Sequence, residues 1–551
     1  MRNKRKWAAT VLTTAMSVSV LAACGGGNSS SPGNSSSPSP GQSAAPPEEV
    51  ANLNESGFPI VNEPINLTFF TGKSATTANN WAETMLWQEY EKMTNIKVDF
   101  QLVPFDSVDE RKNLALAGGD YPDVFYTGRF SNNDLIKYGS QGTFIPLNDL
   151  IEQYAPNLKK ILDENPDIRA GMTMPDGNIY GMPTIYSADF PSVLLGSKLW
   201  YNKDWLEALG MEEPQTLDDF YNYLVAVKNT DLNGNGQQDE IPLGSYQIAD
   251  LINITKGWFG LMNRGTANAN FDIDPETNEL RYIPTSDAFR EQLEFLNKLY
   301  TEGLLENEIF TITANEYFAK GADGVYGSIL TTGPETLMGL TNFVGLPALE
   351  GPNGDKLVTK IRSPLVHLGQ FVITDKNQHP EATIRWMDHF YGEEGNRMFF
   401  MGFEGESFVV NENGEVEYTD EILNNPQGLT MEQAVVKYVT WPGGSYPGIV
   451  RQQFFKGAES LPASIEATEK LEPYLIDEIW PTFTFTSEEA DRYTTLHSDI
   501  NTYVTEMQSK FISGAASFSE WDNYVNTINR MGLEDYMAIN QAALDRYLQS
   551  K

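Results

Sequence analysis

One stretch of the chain carries oxygen-bearing side chains at alternate positions, from Asp231 to Glu240 in the order DLNGNGQQDE. Asp231, Asn233 and Asn235 occupy loop positions 1, 3 and 5, and Gly236 follows at position 6, where a sharp turn favours glycine. Calcium takes about six to eight oxygen ligands at flexible distances. The spacing therefore predicts a calcium site, with an Asn- and Gly-rich turn that binds no ion as the alternative.

This loop departs from the EF-hand pattern in the placement of its acidic residues. Loop position 12 is Pro242 rather than Glu, and the acidic pair Asp239 and Glu240 comes early. The segment Thr216-Leu-Asp-Asp219 has a capping-box pattern that begins a helix leading into the loop. We expect the ion to be structural, because a closed shell of protein ligands leaves no position for a substrate.

Aromatic residues make up 12% of the chain and offer a second kind of chemistry. Trp258 lies in a Gly-Trp-Phe-Gly segment, and Trp441 precedes Pro-Gly-Gly. Neither ring therefore has many large side chains next to it in the sequence to pack against. The apolar faces of sugars stack on such rings, while sugar hydroxyls need polar partners. Both rings are candidates for a sugar-binding cleft, and ordinary core packing is the alternative.

Catalytic patterns were not found in the sequence. The four histidines are scattered and form no His-Glu-x-x-His pair, and neither a Gly-x-Ser-x-Gly elbow nor a phosphate-binding loop occurs. Carboxylate pairs arise by chance among 75 acidic residues. We therefore expect a protein that is not an enzyme. The net charge of −37 argues against nucleic acid as a partner, since phosphates require Lys and Arg.

Strand and helix patterns alternate at the start of the folded body. Strands are predicted over 65–70, 96–102 and 121–126, and helices over 81–93 and 109–117. This order predicts right-handed crossovers and a parallel sheet in an α/β fold. Ligands of such sheets bind at the carboxyl ends of the strands. Tyr126 ends the third strand, so we expect it near a cleft, with core packing as the alternative.

The amino terminus has the pattern of an export signal. Basic residues precede an apolar run over 7–22, which is too short for a retained membrane helix. The run ends in Leu-Ala-Ala-Cys24, which resembles the lipobox of bacterial lipoproteins. The resemblance implies removal of residues 1–23 and a diacylglycerol on Cys24; an ordinary secretory signal is the alternative. Residues 24–55 are predicted to be a lipidated Cys followed by a flexible linker.

Several further motifs resemble the extracellular solute-binding proteins of ABC importers. In chain order they are LALAGGDYPDV (114–124), GTFIPLNDLI (142–151), PDGNIYGMP (175–183), LWYNKDWL (199–206) and GFEG (402–405). The resemblance covers nearly all of residues 60–551 and is strongest to the large oligosaccharide-binding lipoproteins of Gram-positive bacteria. It implies a two-lobed, periplasmic-binding-protein-like fold with an interlobe cleft and a hinge.

The resemblance also implies which segments form each lobe and which residues form the binding sites. We expect one lobe from 60–185 with about 365–425, and a second lobe from 186–364 with about 426–551. The implied cleft residues are Trp258, Tyr438 and Trp441. The implied calcium ligands are Asp231, Asn233, Asn235, the Gln237 carbonyl, Asp239 and Glu240.

The implied function is capture of an oligosaccharide outside the cell and its delivery to the transmembrane permease of an ABC transporter. The protein is expected to be a monomer, tethered by lipid to the outer face of the cell membrane. Two alternatives remain open: a binding protein for a peptide or another solute, and a surface glycoside hydrolase that uses two carboxylates.

Overall fold

The computed structural model describes residues 51–444, 446 and 448–551. In this part of the chain the strands are β1 Ile65–Lys73, β2 Ile96–Pro104, β3 Val124–Phe130, β4 Met182–Tyr186, β5 Lys198–Asn202, β6 Ile241–Gly244, β7 Phe271–Ile273, β8 Leu280–Tyr282, β9 Tyr326–Thr331, β10 Phe343–Gly345, β11 Leu365–Ile373, β12 Phe408–Val410, β13 Val416–Tyr418 and β14 Gly448–Val450.

The α-helices of the same residues are α1 Met85–Thr94, α2 Phe105–Gly118, α3 Asn132–Ser140, α4 Asn148–Tyr154, α5 Pro156–Glu164, α6 Pro166–Met172, α7 Pro191–Leu195, α8 Lys203–Ala208, α9 Leu217–Lys228, α10 Ile248–Thr255, α11 Asp287–Thr301, α12 Ala314–Ala322, α13 Pro334–Met338, α14 Pro380–Asp388, α15 Glu393–Met401, α16 Asp420–Leu423, α17 Met431–Val435, α18 Pro462–Glu469, α19 Ser487–Ser513, α20 Trp521–Arg530 and α21 Leu533–Ser550. None of them is long and apolar enough to cross a membrane.

The larger sheet has six strands in the order β14-β4-β11-β3-β1-β2. β1 pairs in parallel with β2 and with β3, as the alternating strand and helix patterns predict. β11 runs antiparallel between β3 and β4, and β14 runs parallel to β4. The carboxyl ends of β1, β3, β4 and β14 therefore lie at one edge of this sheet, together with the amino end of β11.

The predicted elements before residue 131 are confirmed in kind and differ at their ends. β3 begins at Val124 instead of residue 121 because Pro122 has no N–H to donate to the ladder. The Asp123 carboxylate accepts from the Thr68 backbone N–H (2.7 Å) instead. Further along, the capping box of α9 is present, since the Thr216 hydroxyl accepts from Asp219 N and the Asp219 carboxylate accepts from Thr216 N.

The second main sheet has four strands in the order β10-β5-β9-β6. β6 is parallel to β9, whereas β5 is antiparallel to both β9 and β10. Helices α9, α11 and α19 contribute to the apolar cluster beside this sheet, and Phe220, Leu293 and Ile500 are fully or almost fully buried in it. The larger sheet has its own cluster, rich in stacked aromatic rings such as Trp87 on Trp386 (5.4 Å between ring centroids).

The chain passes between the two sheets several times. It leaves the larger sheet after β4, returns between β10 and β11, and leaves again after β14 toward α18, which packs on β10. The expected fold class, an α/β fold with two sheet-centred lobes, is confirmed. The lobe boundaries stay a prediction; the pairing of β14 with β4 shows that the larger sheet extends to Val450 in the sequence.

Candidate functional site

A cavity of about 580 Å³ lies where the chain leaves and re-enters the larger sheet. Its walls come from the carboxyl ends of β4 and β14, from the segment before β11, and from the junction of α5 and α6. The polar groups on its walls include Tyr186, Ser187, Asp189, Asn165 and Arg451. A hollow lined by both apolar and polar groups at the carboxyl ends of strands can bind a small molecule that has many hydroxyl groups.

Tyr186 connects this cavity to a group of charged residues at the same sheet edge. It is half-buried, and it lies close enough to Tyr446 and to the Arg362 guanidinium for both to influence its pKa. Burial raises the pKa of the Tyr186 hydroxyl, which therefore stays protonated at neutral pH. The phenol can both donate to and accept from a bound hydroxyl group.

His367 on β11 belongs to the same charged group. The side chain is exposed to solvent, yet protein atoms crowd it enough that burial, followed by the charges of Arg129 and Arg362, lowers its pKa to about 4. Exposure combined with crowding is what a residue on the wall of a cleft experiences. At neutral pH the imidazole is uncharged and offers one donor and one acceptor.

The backbone at the carboxyl end of β3 has an unusual conformation. Thr127 and Arg129 have positive φ angles of 52° and 51°, which residues other than glycine rarely adopt. The Thr127 hydroxyl donates to the Gly72 carbonyl (2.5 Å), and the Arg129 guanidinium lies 3.6 Å from the centroid of the Phe105 ring. Such conformations concentrate at binding sites, where the surrounding structure enforces them.

The aromatic residues predicted to bind ligand are all deeply buried. Tyr126 has no exposed surface; its ring stacks on Phe69, and burial raises its pKa well above the usual range. Trp258 is 6% exposed and packs edge-on against Phe220 in the cluster beside the second sheet. Neither ring presents a face to solvent, so their ligand-binding roles stay predictions.

Tyr438 and Trp441 lie in the cluster of the larger sheet, apart from Trp258. The Trp441 indole N–H donates to the Tyr418 hydroxyl (3.1 Å), and its ring packs against Phe455. Tyr438 is 2% exposed and Trp441 is 3% exposed. The structure thus brings Tyr126, Tyr438 and Trp441 into one apolar cluster and does not bring Trp258 to them.

The predicted calcium loop is tightly folded around its own side chains. The Asp231 carboxylate accepts from the backbone N–H groups of Gly234 (2.9 Å) and Gly236 (2.8 Å). The side-chain oxygens of Asn233 and Asn235 each accept from the backbone two residues later. Gly236 has φ +82°, as expected for the sharp turn.

The acidic pair at the end of the loop accepts hydrogen bonds from other loop residues, with Asp239 exposed and Glu240 buried. Asp239 accepts from the side-chain amides of Asn233 and Asn235, which lower its pKa, and Glu240 Oε1 accepts from the backbone N–H of Leu232 (2.7 Å). Glu240 is 6% exposed, and its second oxygen, Oε2, is buried and has no hydrogen-bond partner. A buried carboxylate oxygen without a partner is costly unless a cation neutralises it.

Two further observations bear on metal binding and anchoring. In the described part of the chain, no three His, Cys, Asp or Glu side chains form a group that could hold a metal ion. The donor set predicted for the loop includes three carboxylates, those of Asp231, Asp239 and Glu240, and the described structure does not gather them into such a group. The calcium site therefore stays a prediction. Cys24, the predicted site of lipid attachment, lies outside the described residues.

Sequence reasoning missed the residues at the edge of the larger sheet. Tyr186 is far in the sequence from Arg362 and His367, and no local motif marks any of the three. Tyr186 could have been found by applying to β4, as well as to β3, the rule that ligands bind at the carboxyl ends of strands. The antiparallel insertion of β11, which carries His367 into this edge, is not visible in the sequence.

The fold and the cavity define a class: two sheet-centred lobes linked by several crossings, with a binding hollow at the crossings and no catalytic motif in the sequence. Residues 74–397 match the family model described as bacterial extracellular solute-binding protein. The chain belongs to this family, which confirms the resemblance seen in its motifs.

Two curated relatives extend over most of the chain. The fructooligosaccharide ABC transporter substrate-binding protein FusA of Streptococcus pneumoniae is 30% identical over 554 residues, covering 98% of both chains. Lipoprotein LipO of Bacillus subtilis is 23% identical over 471 residues, covering 81% of this chain and 86% of LipO.

Solved structures of FusA have a similar fold. The kestose complex of FusA superposes with a TM-score of 0.73 at 28% identity, and it covers 88% of this chain and 100% of the FusA chain. An EF-hand mutant of FusA in complex with fructo-nystose also has a TM-score of 0.73, at 27% identity and with the same coverage.

Proposed function

We propose that this protein captures an oligosaccharide outside the cell and presents it to the permease of an ABC importer. The observation that carries the proposal is the similarity to FusA along both whole chains, together with a cavity at the sheet edge where the chain crosses between lobes. Tyr186, Asp189 and Arg451 on its wall supply the donors and acceptors that sugar hydroxyls need.

The function proposed is binding without hydrolysis. The support is that FusA is named as a substrate-binding protein and LipO as a lipoprotein. The test is a thermal-shift screen of oligosaccharides and of peptides, since a ligand that binds the folded state raises the melting temperature. Chromatography of the same sugars after incubation should show them unchanged. Peptide-only stabilisation, or shortened sugars, would contradict the proposal.

The loop at 231–240 is the proposed calcium site. The support is the unpartnered, buried Oε2 of Glu240 and the Asp239 carboxylate beside Asn233 and Asn235, on a turn whose backbone N–H groups hold the Asp231 carboxylate. Asp231, Asn233, Asn235, the Gln237 carbonyl, Asp239 and Glu240 would hold the ion. When bound, calcium would neutralise three carboxylates and fix the loop between α9 and β6.

Membrane attachment is proposed through Cys24, with the protein acting as a monomer. The support is the Leu-Ala-Ala-Cys24 segment and the similarity to a lipoprotein, LipO. Expressed in a bacterium that processes lipoproteins, the wild type should partition into the detergent phase, because acyl chains anchor it. Cys24→Ala should partition into the aqueous phase. Equal partitioning of the two would remove the lipid anchor from the proposal.

A further inference from the structure

The chain segments that cross between the two sheets also form part of the cavity wall. The crossings are 187–197 between β4 and β5, 346–364 between β10 and β11, and 451–461 between β14 and α18. The first contributes residues 187–189 to the wall, the second contributes residues 363–364, and the third contributes Arg451. The shape of the cavity therefore depends on how the three crossings are held relative to one another.

The buried Lys198, at the start of β5, joins the first crossing to the end of the third. Its ammonium donates to the Ser192 hydroxyl (3.2 Å) and to the Gly196 carbonyl (3.3 Å). It also donates to the Ser464 hydroxyl (3.0 Å) in the first turn of α18, and the two serine hydroxyls lie 3.1 Å apart. Lys198, Ser192 and Ser464 are each at most 3% exposed, so water does not compete for these hydrogen bonds.

The second crossing contacts the first at the same place. The Arg362 backbone N–H donates to the Leu194 carbonyl (3.1 Å). The Lys360 ammonium donates to the Ser197 carbonyl (3.4 Å). Gly196 has φ +61°, and a Cβ added to it would lie 3.1 Å from the Arg362 Nη2 atom, so a side chain there would be both strained and crowded. All three crossings are therefore connected beside Lys198.

A charged group at this position needs a reason, because burying an ammonium costs desolvation and apolar side chains would hold the segments at a lower cost. An ammonium has three N–H groups, and hydrogen bonds are directional, so three bonds determine the position of each segment as well as its contact. Lys198 does not line the cavity. It can therefore act on a ligand only through the segments that it holds.

We propose that Lys198 is a positioning residue for ligand binding, which holds the three crossings so that the cavity walls lie at the spacing that the oligosaccharide needs. Walls that are already ordered bind a ligand more tightly than walls that binding must order. Losing the ammonium lowers the fraction of molecules in the binding-competent arrangement, and the apparent affinity falls by the same factor. This inference rests on the proposed function and specifies what holds its site in shape.

The protonation of Lys198 separates positioning from a purely structural role. Burial lowers the pKa of Lys198 to about 8; the charge of Glu459 opposes this shift, and the charge of Lys360 adds to it. Above that pH the neutral amine has only two N–H groups for its three acceptors. The affinity of the wild type should therefore fall as the pH rises from about 7 to about 9.5, whereas the affinity of Lys198→Met should not change with pH.

The test is calorimetry of the full chain with kestose, the ligand in the FusA complex, or, if kestose gives no thermal shift, with the oligosaccharide that gives the largest. At pH 7 (about), Lys198→Met should bind about tenfold more weakly than the wild type, the scale of a hydrogen bond to a charged group. Lys256→Met is the matched control. Lys256 is 2% exposed, burial also lowers its pKa to about 8, and its ammonium donates to the Ala269 carbonyl (2.7 Å), outside the crossings. This control should keep the wild-type affinity and its pH dependence, even where both variants lose stability.

A second variant keeps the test decisive if Lys198→Met does not fold. Ser464→Ala removes one of the three acceptors and should weaken binding at least about threefold. Melting curves establish that each variant is folded. Wild-type affinity in folded Lys198→Met or Ser464→Ala, or equal losses in Lys198→Met and Lys256→Met, would overturn the inference and leave the proposed function standing. No binding of any oligosaccharide to the wild type would overturn both.

Discussion

Lys198 is a buried cation held by neutral oxygens. It is 1% exposed, and its ammonium donates to Ser192 Oγ (3.2 Å), Ser464 Oγ (3.0 Å) and the Gly196 carbonyl (3.3 Å). Burial, helped by the charge of Lys360, lowers its pKa to about 8. The three hydrogen bonds join α7, β5 and α18, so the ammonium stabilises a contact between elements at some cost in desolvation.

The pH dependence of stability should reveal this cost. The pKa of Lys198 is lower in the folded state than in the unfolded chain, where it is about 10.4. The unfolded chain therefore binds more protons between about pH 8 and 10, and the free energy of unfolding should rise with pH there by about 1–3 kcal/mol from this group. Urea unfolding measured from about pH 7 to about pH 10 should show that the free energy of unfolding of Lys198→Met lacks this rise. The same rise in Lys198→Met would contradict the assignment.

The calcium loop is tested through its melting temperature. An ion that binds the folded loop better than the unfolded chain stabilises the folded state, so a chelator should lower the melting temperature. Asp231→Ala should remove this sensitivity. Asp274→Ala is the matched control, because Asp274 also accepts backbone N–H groups in a turn but is outside the proposed site; its chelator sensitivity should equal that of the wild type. No chelator effect and no bound calcium by elemental analysis would show that the loop is only a turn.

Residue types alone could not separate the binding aromatic residues from the packing ones. Tyr126 was expected at the end of its strand, but β3 continues to Phe130 and the Tyr126 ring lies in the apolar cluster. Tyr186 does end β4, and it lines the cavity. Whether a tyrosine lies in the cluster or on the cavity wall depends on which face of its strand meets the helices. The pairing of β11 and β14 beside β3 and β4 determines that face. The calcium loop could be proposed from the sequence because all of its expected ligands lie within ten consecutive positions, and it stays a prediction.

At the scale of elements, α5 depends on a carboxylate from another helix. α5 begins at Pro156, and the preceding residue, Ala155, has no side chain that could cap the helix. Asp388, the last residue of α14, accepts from the backbone N–H groups of Asn157 (3.1 Å) and Leu158 (2.7 Å) and from the Asn157 side chain. This cap also positions the junction of α5 and α6, which lines the cavity.

Removing the cap should destabilise the protein. Asp388→Ala leaves two backbone donors buried without partners, which costs about 1–3 kcal/mol. Urea unfolding should show that loss, whereas Asp522→Ala, in the exposed first turn of α20, should change the free energy of unfolding by less than about 0.5 kcal/mol. Equal stability of Asp388→Ala and the wild type would show that α5 does not need the carboxylate.

Elements with a strong local pattern were predicted well. β2 alternates apolar and polar residues over 96–102, and the capping box of α9 lies within four consecutive residues. The cap of α5 could not be predicted, because Asp388 is 230 residues away from Leu158 in the sequence. Long-range contacts of this kind are decided by the tertiary fold and leave no local trace.

At the scale of the whole molecule, the binding cavity depends on the crossings between the two sheets. Its walls combine residues 185–189, 363–364 and 449–451, which are the points where the chain enters or leaves the larger sheet. In two-lobed binding proteins, hinge motion at such crossings closes the lobes around the ligand. The sequence predicted two lobes and a cleft through resemblance to a family, while the place of β14 in the larger sheet required the structure.

The central claim is that an oligosaccharide binds in the cavity beside Tyr186. Calorimetric titration with the most stabilising oligosaccharide of the thermal-shift screen tests it directly, in the wild type, Tyr186→Ala and Tyr126→Phe. Tyr186→Ala should weaken binding at least about tenfold, because an aromatic contact is worth about 1.5–3 kcal/mol. Tyr126→Phe should bind as the wild type does, because its buried hydroxyl has no partner. Unchanged affinity in a folded Tyr186→Ala protein would contradict the account.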